Sequence, residues 1–599
     1  MSKVIEKSGA ETVFWDLSDL YPAPGSDALV QDKQRLMEMA DAFSGKYRGS
    51  LSGCTASHLQ TMLQDYEAIL DLIYKIGSYA HLIWSTNTED PALGKLLQEI
   101  NELSSEVSQA LVFFDVEWLA LDEKEAEALI QDEKLSKFHH YLTSSRKFKP
   151  YMLKEEQEQL LTAKSVTGSQ AWVRFFDETL GAARFSLDGE LLTEQEVLSK
   201  LHEPDRSLRE RAAQSLTEGF TSLSRNLTYI FKTLLADKYT NDRIRKYPNW
   251  LSSRNLANEI SDETVQALVD AVTSRYALVQ RYYKLKGRLL GIPEMKDYDR
   301  YAPLLDTNTV ISWKKAEEMV VSAYTDFHPE MGKIASLFFE KNWIDAAIRP
   351  GKQGGAYSAS TAASVHPYVL MNYDGKLRDV QTLAHELGHG VHQYLSRENG
   401  QLQANTPLTT AETASVFGEM LVFQNLLKGI PDKKEQLALL LGKIDDTIAT
   451  VFRQISMNRF EDTIHKARRE QGELSTEEFS ELWFETQKAL YGDSVTLTDN
   501  YRLWWCYIPH FLHTPGYVYA YAFGELLVLA LYEKFVSEPD GFAERYLDLL
   551  RAGGSDSPEN LIRKLNVDIT SPDFWDQGLA SIEKLISQAE SLSSEAGLI

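Results

Sequence analysis

With 599 residues, 43% of them hydrophobic and 25% charged, the chain has an ordinary globular composition and enough length to bury extensive cores. Its formal charge of -25 opposes nucleic acid and anionic membranes as partners, since both are polyanions. Two cysteines, Cys54 and Cys506, cannot build a disulfide framework; the opening MSKVIEKSGAETVFWDLSDLY lacks an apolar leader, and no run approaches about 18 apolar residues, so a cytoplasmic chain is expected.

In chain order, residues 57–83 and 96–121 carry apolar side chains at three- and four-residue spacing, the pattern of helices burying one stripe. No sustained heptad accompanies them, so a multi-helix lobe is expected rather than a coiled coil. Residues 183–192 (ARFSLDGELL) place short apolar runs on either side of Asp188-Gly189 and predict a β-hairpin. The hairpin marks an approximate boundary between an N-terminal helical lobe, residues 1–200, and a larger catalytic region, residues 201–599. Ser261 then caps a helix predicted to run until Gly291 and Pro293, with Tyr276, Tyr282 and Tyr283 as packing residues.

The segment RPGKQGGAY breaks the helical pattern at residues 349–357. It lacks the Gly-Lys-Ser/Thr ending of a phosphate loop and the spacing of a dinucleotide motif. Glycines also let two backbones approach closely, so Gly354, Gly355, Ala356 and Tyr357 are candidates for holding an extended peptide beside a strand at residues 368–373.

The following helix contains His385-Glu386-Leu387-Gly388-His389. Residues four apart share a helix face, so His385 and His389 can face one Zn2+ ion, and Glu386 is placed beside them to take a proton from water. His392 and Leu395 occupy the positions where a metzincin needs Gly and a third His, which removes that option. The third ligand must therefore come from elsewhere, and a second helix predicted over residues 409–427 offers Glu412 and Glu419. Seven residues separate them by roughly 10 Å along the axis, so only one can ligate a single ion. Small neighbours Ala411, Thr413 and Ala414 leave room for a close approach at Glu412, which is read as the third ligand, with Glu419 as an outer carboxylate orienting a ligand histidine.

Ser475 and Glu478 form a capping box that opens another helix. Beyond it, IPHFLHTPGYVYAYAFGE supplies His510, His513, Tyr517 and Tyr521 around a Pro-Gly turn. A phenol is a neutral donor at pH 7, as the oxyanion of a tetrahedral intermediate requires.

HELGH followed by ETASVFGEM, with GKQGGAYS before and IPHFLHTPGYVYAYAFGE after, resembles the thimet-oligopeptidase family of zinc metallopeptidases, most closely its oligoendopeptidase F branch. The resemblance is strongest over residues 350–525. It implies a mainly α, two-lobed metallopeptidase with a small β element beside the zinc helix and a deep substrate channel. It also implies oligopeptide substrates, one Zn2+ per chain, and His510, Tyr517 and Tyr521 as contacts to substrate or transition state, with His513 competing with His510. Two alternatives remain at this stage: a zinc carboxypeptidase or dipeptidase of related fold, and a helical peptide-binding protein without turnover.

Overall fold

The computed structural model describes residues 8–165, 167–304 and 310–599. Helices dominate it, and the elements used below are taken in chain order. Three long helices come first, α1 (Asp27–Tyr47), α2 (Ala56–Ser85) and α3 (Pro91–Ala120). The hairpin strands β1 (Phe185–Leu187) and β2 (Glu190–Leu192) precede α4 (Arg206–Arg245), α5 (Asp262–Ser274) and α6 (Tyr276–Leu289). A small sheet of β3 (Ile344–Asp345), β4 (Tyr357–Ala359) and β5 (Tyr368–Leu370) leads into α7 (Leu377–Ser396) and α8 (Leu408–Gly429). The helices α9 (Gln454–Glu470) and α10 (Thr476–Tyr491) follow.

These elements fall into two compact units, each assembled from three stretches of chain. The first unit comprises Met1–Gln159, Asn308–Leu426 and Lys534–Asp568; the second comprises Leu160–Thr307, Leu427–Glu533 and Ile569–Ile599.

In the first unit, α1, α2 and α3 pack together, α2 and α3 through the stripes that their periodicity predicts. Thr55 and Asp90 cap α2 and α3, and Phe43, Tyr66 and Phe114 meet between the helices with ring centroids 4.9 to 6.2 Å apart. The three-stranded sheet has β5 at its centre, parallel to β3 and antiparallel to β4, which leaves β4 on an edge. The predicted strand over residues 368–373 is thus regular only through Leu370. Lys352 bridges the sheet's end, donating to the carbonyls of Asp345, Ala347 and Met371 and lying 2.7 Å from the Asp345 carboxylate.

In the second unit the Asp188-Gly189 hairpin forms as predicted: both turn residues have positive φ, and Leu187 pairs with Glu190. The helix expected to run unbroken from Ser261 instead divides at Arg275, whose φ of -107° and ψ of 16° lie outside the helical well. The residues before the break, Val272, Thr273 and Ser274, are two β-branched side chains and a serine, all weak helix formers. Tyr282 and Tyr283 are buried, as packing residues should be. Ser475 and Glu478 complete their capping box at the start of α10.

The second unit also buries Glu461 of α9 completely. One of its oxygens accepts the Gly516 N–H at 2.8 Å, and Gly516 has a φ of +76° in the Pro-Gly turn that precedes Tyr517. Burial pushes the Glu461 carboxyl up to about 8 from an ordinary 4.5, against the opposing pull of the Gly516 N–H and Arg254. The folded chain therefore holds a proton that the unfolded chain releases between about pH 4.5 and 8, so stability falls as pH rises through that window. Glu461→Gln, which keeps an acceptor for Gly516 without a titrating proton, is expected to remove this contribution, about 1.4 kcal/mol per pH unit. Urea-unfolding midpoints across the window check it: equal slopes for the two proteins would refute the assignment.

Candidate metal centre

The entry into α7 is set by a turn. Gly375 adopts a φ of +86°, and the Asp379 carboxylate accepts the backbone N–H groups of Asp374 and Lys376 at 2.8 and 2.9 Å. A carboxylate there satisfies donors that the first helical turn leaves open. From that start, Val380, Leu383, Ala384, Leu387 and Val391 are buried along one face. His385 and His389, four residues apart, share the other, with ring centroids 5.0 Å apart.

The second helix reaches them because of Gly388. A Cβ on Gly388 would lie 2.4 Å from the Ala414 carbonyl oxygen and 2.6 Å from Ser415 Cα, so the backbones of α7 and α8 touch where any side chain would intervene. This contact brings Glu412 over the histidines, its Oε2 3.4 Å from His385 Nε2 and 3.4 Å from His389 Nε2. Ser415 Oγ donates to the same carboxylate oxygen at 2.7 Å.

The three groups fit a zinc ion. Donors held at about 2.0–2.1 Å in a tetrahedron stand about 3.4 Å apart, the spacing that Glu412 keeps to both imidazoles. All three donor atoms lie within 4.8 Å of one another. The electrostatics agree. Burial disfavours a charged imidazole at His385, yet Glu412 and Glu419 outweigh it and raise that group to about 10. Burial works against the Glu412 carboxylate too, but the two histidines hold it well below its ordinary range. The pocket is built to hold positive charge.

Glu419 lies with its Oε2 3.4 Å from His385 Nδ1, the ring nitrogen turned away from Glu412. Glu386 is buried, at 7% exposure. Burial raises its carboxyl above the usual range, while the histidines and a hydrogen bond from the Ser358 backbone pull the other way. That contact ties the edge strand β4 to the helix. Gln393, one turn beyond His389, makes a second tie: its Nε2 donates to the Ser358 carbonyl at 3.3 Å and its Oε1 accepts the Ser358 hydroxyl at 2.7 Å. Sequence reasoning passed over Ser358 and Gln393. Their 35-residue separation carries no periodic signal, although Gln393 shares the helix with His389 and invited the question. Tyr324, also passed over, donates from its buried hydroxyl to the Ala384 carbonyl beside the histidines.

The glycine segment leads into β4. Gly355 has a φ of +80°, and Asn372 Nδ2 donates to the carbonyls of Gln353 and Gly355 at 3.1 and 3.0 Å. Gly354 and Ala356 lie in the same loop, and Tyr357 opens the strand, its hydroxyl donating to Ser85 Oγ at 2.9 Å. His510, Tyr517 and Tyr521 come together in the second unit. His510 Nε2 is 3.2 Å from the Tyr521 hydroxyl, and the rings of Tyr517 and Tyr521 meet edge-on at 4.9 Å. Burial, with a smaller contribution from His513, lowers the His510 imidazole below its ordinary value. His513 turns elsewhere, its Nε2 2.8 Å from the Asp177 carboxylate.

Comparison with known proteins bears on this arrangement. A family profile described as Peptidase family M3 matches residues 199–581, and one described as Oligopeptidase F matches residues 117–185. The chain is 27% identical over 588 residues to oligopeptidase PepF of Bacillus subtilis, covering 96% of this chain and 87% of that protein. It is 28% identical over 598 residues to the group B oligopeptidase PepB of Streptococcus agalactiae, covering 96% of each. The fold is shared with the crystal structure of oligoendopeptidase-F from Enterococcus faecium, at a TM-score of 0.73 and 23% identity over 95% of this chain and 99% of that one. With the profile spanning well over half of its length and a His-His-Glu donor set inside the matched region, the chain belongs to peptidase family M3, as a metallopeptidase of the oligoendopeptidase F kind.

Proposed function

We propose that this metallopeptidase is a zinc endopeptidase that hydrolyses internal bonds of short oligopeptides in the cytoplasm. The observation that carries the reading is the convergence of His385, His389 and Glu412 with the buried carboxyl of Glu386 next to them. Zinc, when bound there, supplies a Lewis acid that polarises a carbonyl and lowers the pKa of water to about 7.

The chain's own residues do the rest. Glu386 accepts the proton of the attacking water and passes it to the departing amine, its burial holding the carboxyl above its ordinary range. Glu419, against His385 Nδ1, orients that imidazole with Nε2 toward Glu412, where the two would hold the metal together. The family resemblance assigns Tyr517 and Tyr521 as donors to the developing oxyanion and His510 as an assisting or substrate-holding group, and the three cluster within the second unit. The Gly354–Gly355–Ala356–Tyr357 segment receives the peptide backbone beside β4.

Mass spectrometry of products from a peptide of about ten residues, blocked at both ends, tests the reading. Zinc-loaded protein is expected to yield internal fragments, and chelated protein none. An intact blocked peptide beside end-trimming of its unblocked counterpart would move the assignment to a carboxypeptidase or dipeptidase. No cleavage across a diverse peptide pool would overturn the peptidase reading for this chain.

A further inference from the structure

Two arginines of the second unit, Arg300 buried and Arg453 half-buried, have no carboxylate partner. Arg300 is 3% exposed; its Nε donates to the Asp297 carbonyl at 2.8 Å, one terminal nitrogen donates to the Tyr491 hydroxyl, and Nη2 has no partner. Its guanidinium carbon sits 4.8 Å from the ring centres of Tyr491 and Tyr501 and 5.1 Å from that of Tyr301. Arg453 approaches the same Tyr301 ring to 5.9 Å, and its buried Nε is likewise unpartnered. The hydroxyl of Tyr501, a fully buried residue, also has no partner.

A buried guanidinium is normally balanced by a carboxylate, because an unpaired charge away from water is expensive. The neighbouring acids are engaged by other groups, although Asp297 and Asp445 each keep one oxygen unpartnered. Asp299 is held by Arg206 and Arg209, and Asp445 by Lys286. Asp297 turns one oxygen to the Thr498 backbone N–H and hydroxyl, both at 2.6 Å, while its other oxygen stays unpartnered. Around Tyr301 stand two positive charges, one of them half-buried, three unused donors, and the Asp297 carboxylate with one oxygen free. The backbone adds a local irregularity: residues Ala449–Arg453 form a π-helical turn, the only one among the described residues, and Arg453 is its last member. Such turns re-aim a side chain at the cost of regular hydrogen bonding and concentrate at functional sites. The phenol of Tyr301 registers the excess charge: burial opposes its ionisation, yet Arg453 and Arg300 draw it below its ordinary value.

We infer that Arg300 Nη2, Arg453 Nε and the Tyr501 hydroxyl form an internal binding site for a small inorganic monoanion of the halide class. Cation–π stacking on Tyr301, Tyr491 and Tyr501 keeps the guanidiniums in place but cannot cancel their charge. An anion would satisfy the orphaned donors and neutralise one charge with charge-assisted hydrogen bonds. The site is independent of the metal centre and of the peptidase reading, and its occupant acts on the stability of the second unit.

The test compares thermal unfolding of the zinc-loaded full-length protein in sodium chloride and in sodium gluconate at equal ionic strength. Chloride is expected to raise the midpoint saturably by about 2–4 °C, and gluconate, too large to enter, is not. A bromide-soaked crystal should show an anomalous peak within hydrogen-bonding reach of Arg300 Nη2. Arg300→Leu should abolish the chloride-specific shift. Tyr501→Phe, which removes one hydroxyl and little else, should weaken the half-saturating concentration by about 5- to 10-fold, and it stands in if the arginine variant fails to fold. Superimposable unfolding in the two salts, or no bromide peak at the guanidiniums, overturns the proposal. So does absorbance near 295 nm that is present in gluconate at neutral pH and lost in Tyr301→Phe, because an ionised Tyr301 would then be the counter-ion.

Discussion

Replacing Glu386 with Gln is expected to lower kcat by about 10²–10⁴ while leaving the zinc content at one per chain. Glu386 lies outside the donor set formed by His385, His389 and Glu412, so its loss removes no ligand. Gln has the same shape and can still accept the Ser358 backbone hydrogen bond, so β4 and α7 should stay in register. What Gln lacks is basicity, and nothing near it substitutes. Glu412 is held well below its ordinary range by the two histidines, and Glu419 faces the far side of His385. Metal analysis and steady-state kinetics on one peptide check both halves. A zinc-replete Glu386→Gln protein that turned over at the wild-type rate would remove Glu386 from the proton transfer, whereas loss of the metal would mean that the carboxylate supports the site structurally.

How much of this could be read from the sequence depended on how local each signal was. His385 and His389 were legible because a helix places residues four apart on one face, a relation needing no tertiary information. Glu412 was legible from the small residues around it, although what those residues accomplish resides in Gly388, whose role appears only when α7 and α8 are seen in contact. The Asp188-Gly189 hairpin and the Ser475 capping box were equally local and form as read. The break at Arg275 was missed because apolar periodicity continues through it; the weak helix formers before it were the available sign. The clip of Gln393 onto Ser358 and the pairing of Arg300 with Arg453 join residues far apart in the chain, and neither has a pattern in one dimension. The same holds for the two units, each gathered from three separated stretches of chain.

Gly388→Ala is expected to weaken zinc binding by at least about 100-fold and to lower the thermal midpoint, though it touches no ligand. At an ordinary helical site this change would stabilise the protein by about 1 kcal/mol, because Ala is the better helix former. Here the added methyl would sit 2.4 Å from the Ala414 carbonyl oxygen and 2.6 Å from Ser415 Cα. These are backbone atoms of α8, which cannot rotate aside as a side-chain tip would, so the helix itself must retreat, at a cost of about 1–3 kcal/mol. Glu412 precedes those residues on the same helix and must move with them, lengthening both of its 3.4 Å separations from the imidazoles. Metal sites tolerate displacements of only about 0.2 Å at each ligand. Gly429→Ala, at the end of α8 where a Cβ would meet nothing within 4 Å, is the matched control and should leave zinc affinity unchanged. Competition with a chromophoric chelator reads both variants. If Gly388→Ala bound zinc as tightly as Gly429→Ala, the close contact of the two helices would not be what delivers the third ligand, and the placement of Glu412 would need another cause.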